Sequence, residues 1–213
     1  MENQRKISRR TLHRLPVYLS FLKSLEDGKT KFVSSPDIAK ALKLNEVQVR
    51  KDLAAVSSVS GRPKIGFELS RLIGDIEKML GYSEEAEAVV VGTGNLGKAL
   101  LTYPGFEECG VKIIAAFDTD PNVVGEEIGG KNVFALSRLR NLCERMRVPL
   151  GIIAVPEESA QEVCNMMVES GIKGIWNFAP IHLVAPEDVI IRDENLAVSL
   201  SILAISISEN KKN

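Results

Sequence analysis

The sequence predicts an α/β protein in two parts, a basic helical module followed by a domain built on a parallel sheet. Three observations carry that expectation. An apolar β-branched run, Val89-Val90-Val91, leads straight into Gly92-Thr93-Gly94-Asn95-Leu96-Gly97 and then a helix-forming segment. That is the layout of a strand, a tight turn and a helix. Two short capped helical patterns within residues 36–56 precede a glycine-bounded basic turn, as in a helix-turn-helix with a wing. The charge divides at the same place. Residues 1–80 hold 16 Lys and Arg against 9 Asp and Glu, and residues 81–213 hold 11 against 19. The net charge of −1 therefore hides a basic part and an acidic part with different partners.

A chain of 213 residues with 45% hydrophobic and 26% charged residues suits one large or two modest soluble domains. The N-terminus carries no apolar leader pattern and no run is long enough to span a bilayer, so a cytoplasmic location is expected. Cys109, Cys143 and Cys164 show no C-x-x-C spacing and are expected to be reduced, small apolar residues.

In chain order, Arg5, Lys6, Arg9, Arg10 and Arg14 crowd the start as a basic tail. The segment from Leu15 to Leu25 then has helical spacing, with Pro16 expected in its first turn. Ser35-Pro36-Asp37 opens a second helix running to Leu42, and Lys43-Leu44 is a tight connection. Asn45 caps a third helix, with Gln48 placed for a reciprocal capping box and Val47, Leu53 and Val56 facing the core. Gln48 suits adenine edges, and Arg50 and Lys51 suit guanine or phosphate. Ser60–Phe67 reads as a wing with Arg62 and Lys64 at its tip. The full set expected to contact DNA is Arg10, Ser35, Gln48, Arg50, Lys51, Arg62 and Lys64. An amphipathic helix to Leu80 and a boundary at Gly81-Tyr82 end the module.

The Gly-x-Gly-x-x-Gly turn and the helix behind it form an anion site from backbone N–H groups. A second strand, Val111–Phe117, ends at Asp118, 21 positions after Gly97, where a Rossmann domain sets a carboxylate on the adenosine ribose. A nicotinamide dinucleotide follows as the ligand, and Asp118 would repel a 2′-phosphate, favouring NADH and NAD⁺ over the phosphorylated forms. Leu150–Val155 reads as a buried strand, Glu157–Ser170 as a helix closed by Gly171, and Ile172–Pro180 as strand and loop. Val155-Pro156 and Phe178-Ala179-Pro180 therefore fall at strand ends where the nicotinamide would lie. An apolar pocket there favours the neutral reduced ring over the cationic oxidised one. His182 is the nearest acid–base residue, and no metal site is expected. The tail from Leu196 to Ile207 is apolar or small on every face, so it needs burial on all sides, best supplied by a second subunit if helical; strand continuation is the alternative.

These features together resemble the Rex family of bacterial redox-sensing repressors. The likeness rests on the glycine turn, Phe117-Asp118-Thr119-Asp120-Pro121, Trp176-Asn177-Phe178-Ala179-Pro180, Gln48-Val49-Arg50-Lys51-Asp52-Leu53 and Tyr103-Pro104-Gly105-Phe106. The resemblance implies a non-enzymatic homodimer on a palindromic operator, released by NADH, with a domain-swapped C-terminal helix. It implies a winged helix over residues 1–82, a Rossmann domain over 83–192 and a dimerisation helix over 193–213. It further implies that Arg14 pairs with the head of the partner's swapped helix and that Tyr103 engages the same position in the NADH-bound form. That position is a carboxylate in the family and Asn195 here, which removes the ion pair and keeps the hydrogen bonding. Ser57–Pro63 also departs from the family's aromatic and glycine pattern in the wing. The competing function is an NAD-dependent dehydrogenase or a CoA-binding enzyme subunit with a basic appendage. The absence of an acid–base residue in the nicotinamide turns and the lack of a substrate domain weigh against it.

Overall fold

The computed structural model describes residues 7–26, 28–63, 65–82 and 85–210. Contacts divide the chain into two compact units, Met1–Glu84 and Glu85–Asn213. The first unit runs α1 (Arg9–Ser24), β1 (Phe32–Val33), α2 (Ser35–Leu42), α3 (Glu46–Val56), β2 (Phe67–Glu68) and α4 (Leu69–Leu80). The Ser8 hydroxyl accepts the Thr11 N–H and starts α1 earlier than the hydrophobic spacing suggested. Arg9, Arg10 and Arg14 therefore lie on a helix and not in a tail, and Pro16 sits in the helix interior and not in its first turn. An interior proline costs about 3 kcal/mol. Leu15, Tyr18, Leu19 and Leu22 are buried on the same helix, each contributing about 1.5–3 kcal/mol, and outweigh it.

Ser34 caps α2 through the Asp37 N–H, one residue ahead of the expected start, and Lys43 closes α2 in the left-handed region at φ 54°. Asn45 accepts the Gln48 N–H at 3.1 Å and caps α3 as expected. The reciprocal half of the box is absent, because the Gln48 side chain turns instead to Asp52, donating to Oδ1 at 3.0 Å. Val49, Leu53 and Val56 face the core, whereas Val47 is 54% exposed. The buried set follows i, i+4, i+7 spacing, which Val47 does not share. Arg62 and Gly66 exchange backbone hydrogen bonds of 2.8 and 2.9 Å, and β2 runs antiparallel to β1, so the wing is present. Lys64 lies outside the described residues.

The second unit holds β3 (Ala86–Val91), α5 (Asn95–Thr102), α6 (Gly105–Glu108), β4 (Val111–Asp118), β5 (Glu127–Ile128), β6 (Lys131–Ala135), α7 (Leu139–Met146), β7 (Leu150–Ile153), α8 (Glu157–Glu169), β8 (Gly174–Asn177), β9 (Ile190–Asp193) and α9 (Leu196–Asn210). Strands pair in the order β5-β6-β4-β3-β7-β8-β9, all parallel except β5 on β6. From β6 outward this is the doubly wound order that reverses at β3. Val89 and Val91 pack on one sheet face with α7 and α8, and Ala88 and Val90 on the other with α5 and α6, the period-two pattern of a sheet covered on both sides. The β5–β6 hairpin and α7 were not anticipated from the sequence. Gly129-Gly130 between Glu127-Ile128 and Lys131–Ala135 was the available signal.

The tail is helical and not a strand. Asn195 caps α9 by accepting the Val198 N–H at 3.0 Å. Its large apolar residues, from Leu196 to Ile207, are between 50% and 68% exposed. Among the described residues no helix is long and apolar enough to cross a membrane.

Asp52, 2% exposed, gathers the first unit. It accepts Arg14 Nε at 2.7 Å and Nη2 at 2.9 Å, the Tyr18 hydroxyl at 2.8 Å, the Thr11 hydroxyl at 3.1 Å and the Gln48 amide. Burial opposes its charge, but hydrogen bonds from Arg14, Tyr18 and Thr11 outweigh burial and hold its carboxyl below the ordinary 3.8. A lowered carboxyl gives stability that is complete above 3.8 and is lost as pH falls through the lowered value. Burial, and after it Asp52, pushes the Tyr18 hydroxyl up to about 12; its contribution is complete below 10 and fades as pH rises toward 12. Asp52→Ala should strand Tyr18 and Arg14 and cost about 3 kcal/mol, read by urea unfolding at neutral pH. The variant's stability should also decline less on acidification below pH 3.8 than the native chain's, by the share that Asp52 contributes.

Candidate functional site

A cleft of about 440 Å³ opens where the strand order reverses, at the carboxyl ends of β3 and β7. Gly92, Thr93, Gly94, Asp118, Val155 and Pro156 line it. Gly92 adopts φ +95°, and a Cβ there would stand 2.5 Å from the Ala154 carbonyl oxygen. A Cβ on Gly97 would stand 1.9 Å from the Gly92 carbonyl oxygen. Only glycine lets α5 seat this closely on the turn. Asn95 and Leu96 form the first turn of α5, whose N-terminus has no side-chain cap. Its leading N–H groups are therefore available to an anion.

Asp118 ends β4 beside the turn. Its Oδ2 accepts the Thr93 N–H at 2.7 Å and the Thr93 hydroxyl at 2.5 Å, and its Oδ1 accepts the Thr119 and Asp120 N–H groups at 2.7 and 3.0 Å. Burial works against its charge, yet these hydrogen bonds hold its carboxyl below the usual range. Asp118 is thus an ionised acceptor fixed at the cleft rim. Lys98 and Ser159 also line the cleft and were missed by the sequence reading. Both face it from the first turns of helices that follow strand ends, positions that such a sheet always aims at its crevice.

The expected apolar pocket is divided. Val155 and Pro156 line the cleft, while Phe178 packs against Trp176, with ring centroids 4.5 Å apart and planes tilted by 56°, on the opposite face of the sheet. Successive residues of an extended segment point to opposite faces, so Ala179 is buried on the Val155 side and Pro180 is exposed. The Phe178 N–H donates to the Ile153 carbonyl at 2.9 Å, holding this turn next to Val155-Pro156. Tyr103 follows α5, is 58% exposed and meets Phe106 edge-on at 5.0 Å, away from the cleft lining. His182 is exposed, with Nδ1 3.0 Å from Asp193 Oδ2, and lines no part of the cleft. Among the described residues no group of His, Cys, Asp and Glu could hold a metal. Cys143 and Cys164 are buried, and burial pushes the Cys143 thiol up to about 11.

In the first unit, one groove of about 620 Å³ between the start of α2, α3 and the wing brings together Ser34, Ser35, Arg50, Ser57 and Arg62. Ser35 is only 6% exposed, so its side chain is largely covered at the groove edge. Arg50 pairs with Glu46 one turn back, and the Arg62 guanidinium lies over the Phe32 ring at 5.8 Å, which restrains it. Lys51 and Arg10 are exposed on α3 and α1, outside this groove. Gln48 is tied to Asp52, and so is Arg14, in a two-point pair within its own chain. Asp52, Thr11 and Tyr18 were not singled out from the sequence; a buried acid reveals itself only when its donors, over thirty residues away, are seen to converge.

Comparison with known proteins matches this division. A family described as "Putative DNA-binding protein N-terminus" matches residues 6–54, and one described as "CoA binding domain" matches residues 83–181. A redox-sensing transcriptional repressor Rex of Treponema denticola is 38% identical, covering 99% of this chain and 100% of that protein. The Rex of Carboxydothermus hydrogenoformans is 40% identical, covering 95% and 97%. A crystal structure of RSP in complex with β-NAD⁺ and operator DNA aligns with TM-score 0.88 at 30% identity, covering 96% of this chain and 94% of that one. A crystal structure of RSP with β-NADH aligns with TM-score 0.83 at 29% identity, covering 97% and 96%. With full-length identity at this level and the same two-part architecture, the chain belongs to the Rex family of redox-sensing transcriptional repressors.

Proposed function

We propose that this repressor binds NADH and NAD⁺ in the cleft between β3 and β7, reads a palindromic operator as a homodimer, and leaves DNA when NADH binds. The observation that carries the reading is the ionised Asp118 beside an uncapped helix start at the sheet's reversal point, in the same chain as a basic winged helix. The helix start takes the pyrophosphate, and Asp118 takes the adenosine ribose with Thr93 as its support. Val155 and Pro156 give the nicotinamide end an apolar wall, with the buried Ala179 in the same cluster as Val155. A neutral reduced ring loses less there than a cationic oxidised one.

On the DNA side, Arg50 and Arg62 border the groove beside α3 and the wing, with Arg10, Lys51 and Lys64 adding cationic contacts and Gln48 reading a base. The exposed apolar surface of α9 is covered by a second copy through a swapped helix. Arg14 is then shared between its own Asp52 and the partner subunit's Asn195, with Tyr103 competing for that amide in the NADH form. A neutral amide competes less well than a carboxylate for a guanidinium already held at two points. The protein works in the cytoplasm, where its cofactor and DNA are.

Three outcomes test this reading. Asp118→Ala should weaken NADH by about 1–3 kcal/mol in a fluorescence titration and leave operator affinity without cofactor unchanged; native NADH affinity would remove Asp118 from the site. Arg62→Ala should weaken all DNA sequences alike and lower the salt slope by about one, whereas Gln48→Ala should relax preference at one base pair. Operator binding unaffected by both would refute the winged-helix assignment. Ending the chain after Glu194 removes the apolar helix, and with it about 25 cal/mol for each Å² it buries against a partner. Light scattering should find monomer or aggregate, and a truncated chain that stays dimeric would refute the swap.

A further inference from the structure

Asn177 is fully buried at the end of β8, and nothing in the proposed cofactor or DNA contacts uses its side chain. Its Oδ1 accepts the Ala179 N–H at 2.9 Å. Its Nδ2 donates to the Ile181 carbonyl at 2.9 Å, the Ala179 carbonyl at 3.2 Å and Asp193 Oδ1 at 2.8 Å. One amide therefore closes the 177–181 turn and ties that turn to the last residue of β9. The backbone repeats the link: Asn177 pairs with Asp193 across the strands, and the Glu194 N–H donates to the Asn177 carbonyl at 2.8 Å. Glu194 accepts Arg192 Nε at 2.8 Å, and this bond, helped by the neighbouring Trp176, holds its carboxyl below its ordinary range. Glu194 is followed directly by Asn195, the cap of α9.

The turn beside the cleft and the head of α9 are thus joined by one side-chain bridge and one backbone bond. Only an amide fits position 177. Aspartate would lack the donor and set a charge against two carbonyls and Asp193, and an apolar residue would leave Ala179, Ile181 and Asp193 unserved.

We infer that Asn177 is the positioning residue that couples occupancy of the nicotinamide turn to the head of the dimerisation helix, acting through Asp193. The inference rests on the reading that places the nicotinamide at the 177–180 turn. A cofactor ring pressing on Ala179 moves a turn whose hydrogen bonds include Asp193, so strain at the ring reaches α9 across a single side chain. This is coupling between two sites through a contiguous bonded element, and it leaves the binding contacts themselves untouched.

Asp193→Ala removes the acceptor of Asn177 Nδ2 and the His182 contact and keeps the bonds of Asn177 to Ala179 and Ile181; His182→Ala, which loses only the second contact, should leave all three quantities below unchanged. Three quantities are measured on the full-length protein: NADH affinity, operator affinity without cofactor, and the ratio of operator affinities without and with saturating NADH. The first two should match the native chain within about twofold, and the ratio should fall about tenfold or more, the scale of one hydrogen bond to a charged group. An unchanged ratio in Asp193→Ala would overturn the inference, and so would a loss of NADH affinity that accounts for the whole effect. Val155→Ala separates this from the underlying reading, because Val155 lines the cleft: it should weaken NADH and leave ADP-ribose binding unchanged. If NADH binds Val155→Ala as it binds the native chain, the nicotinamide lies elsewhere and the inference falls with its premise.

Discussion

The close seating of α5 on the glycine turn is the constraint on which the second unit depends. A single added carbon at Gly97 would sit 1.9 Å from the Gly92 carbonyl oxygen, and one at Gly92 would strike the Ala154 backbone. Because both positions are bare, the helix start, the end of β3 and the end of β7 converge on one crevice. The Asp118 carboxylate can then reach the turn and fix it through Thr93. An anion site made of backbone, and a fixed carboxylate beside it, follow from packing without any basic side chain being spent on the phosphates.

The first unit solves a different problem. A module that must meet DNA carries excess positive charge, and one acid is placed where it organises rather than repels. Asp52 binds α1 to α3 by accepting from Thr11, Arg14 and Tyr18, and it steers Gln48 on the exposed side of α3. Removing a partner from such a buried set costs far more than an exposed ion pair such as Arg50–Glu46 contributes. The residue that the family resemblance marks for intersubunit pairing, Arg14, is therefore also part of the frame that holds the recognition helix. A rearrangement at Arg14 acts on the DNA-reading surface through a bond that is already made.

Much of this was legible in the sequence because short-range signals decide it. The cap Asn45, the strand run at Val89–Val91, the spacing to Asp118 and Gly171 after α8 are local rules that the structure obeys. The errors have one physical origin, which is tertiary partnership. Ser8 lengthened α1 and moved Pro16 inside it, Gln48 left its capping role for Asp52, and Phe178 was separated from Val155 by the alternation of faces at a strand end. The β5–β6 hairpin was missed because its strands are short and one is a two-residue edge strand. Asn177 carried no sequence signal beyond its motif; its importance lies in acceptors drawn from its own turn and from β9.

The central claim is that cofactor and operator act on one equilibrium. Linkage then requires reciprocity: the factor by which NADH weakens operator binding must equal the factor by which operator weakens NADH binding. Calorimetric titration of NADH into the full-length protein, free and saturated with operator, measures the second factor directly. The account predicts weaker NADH binding on the operator complex, with NAD⁺ binding far less affected. Equal NADH affinity for the free and operator-bound protein would contradict it.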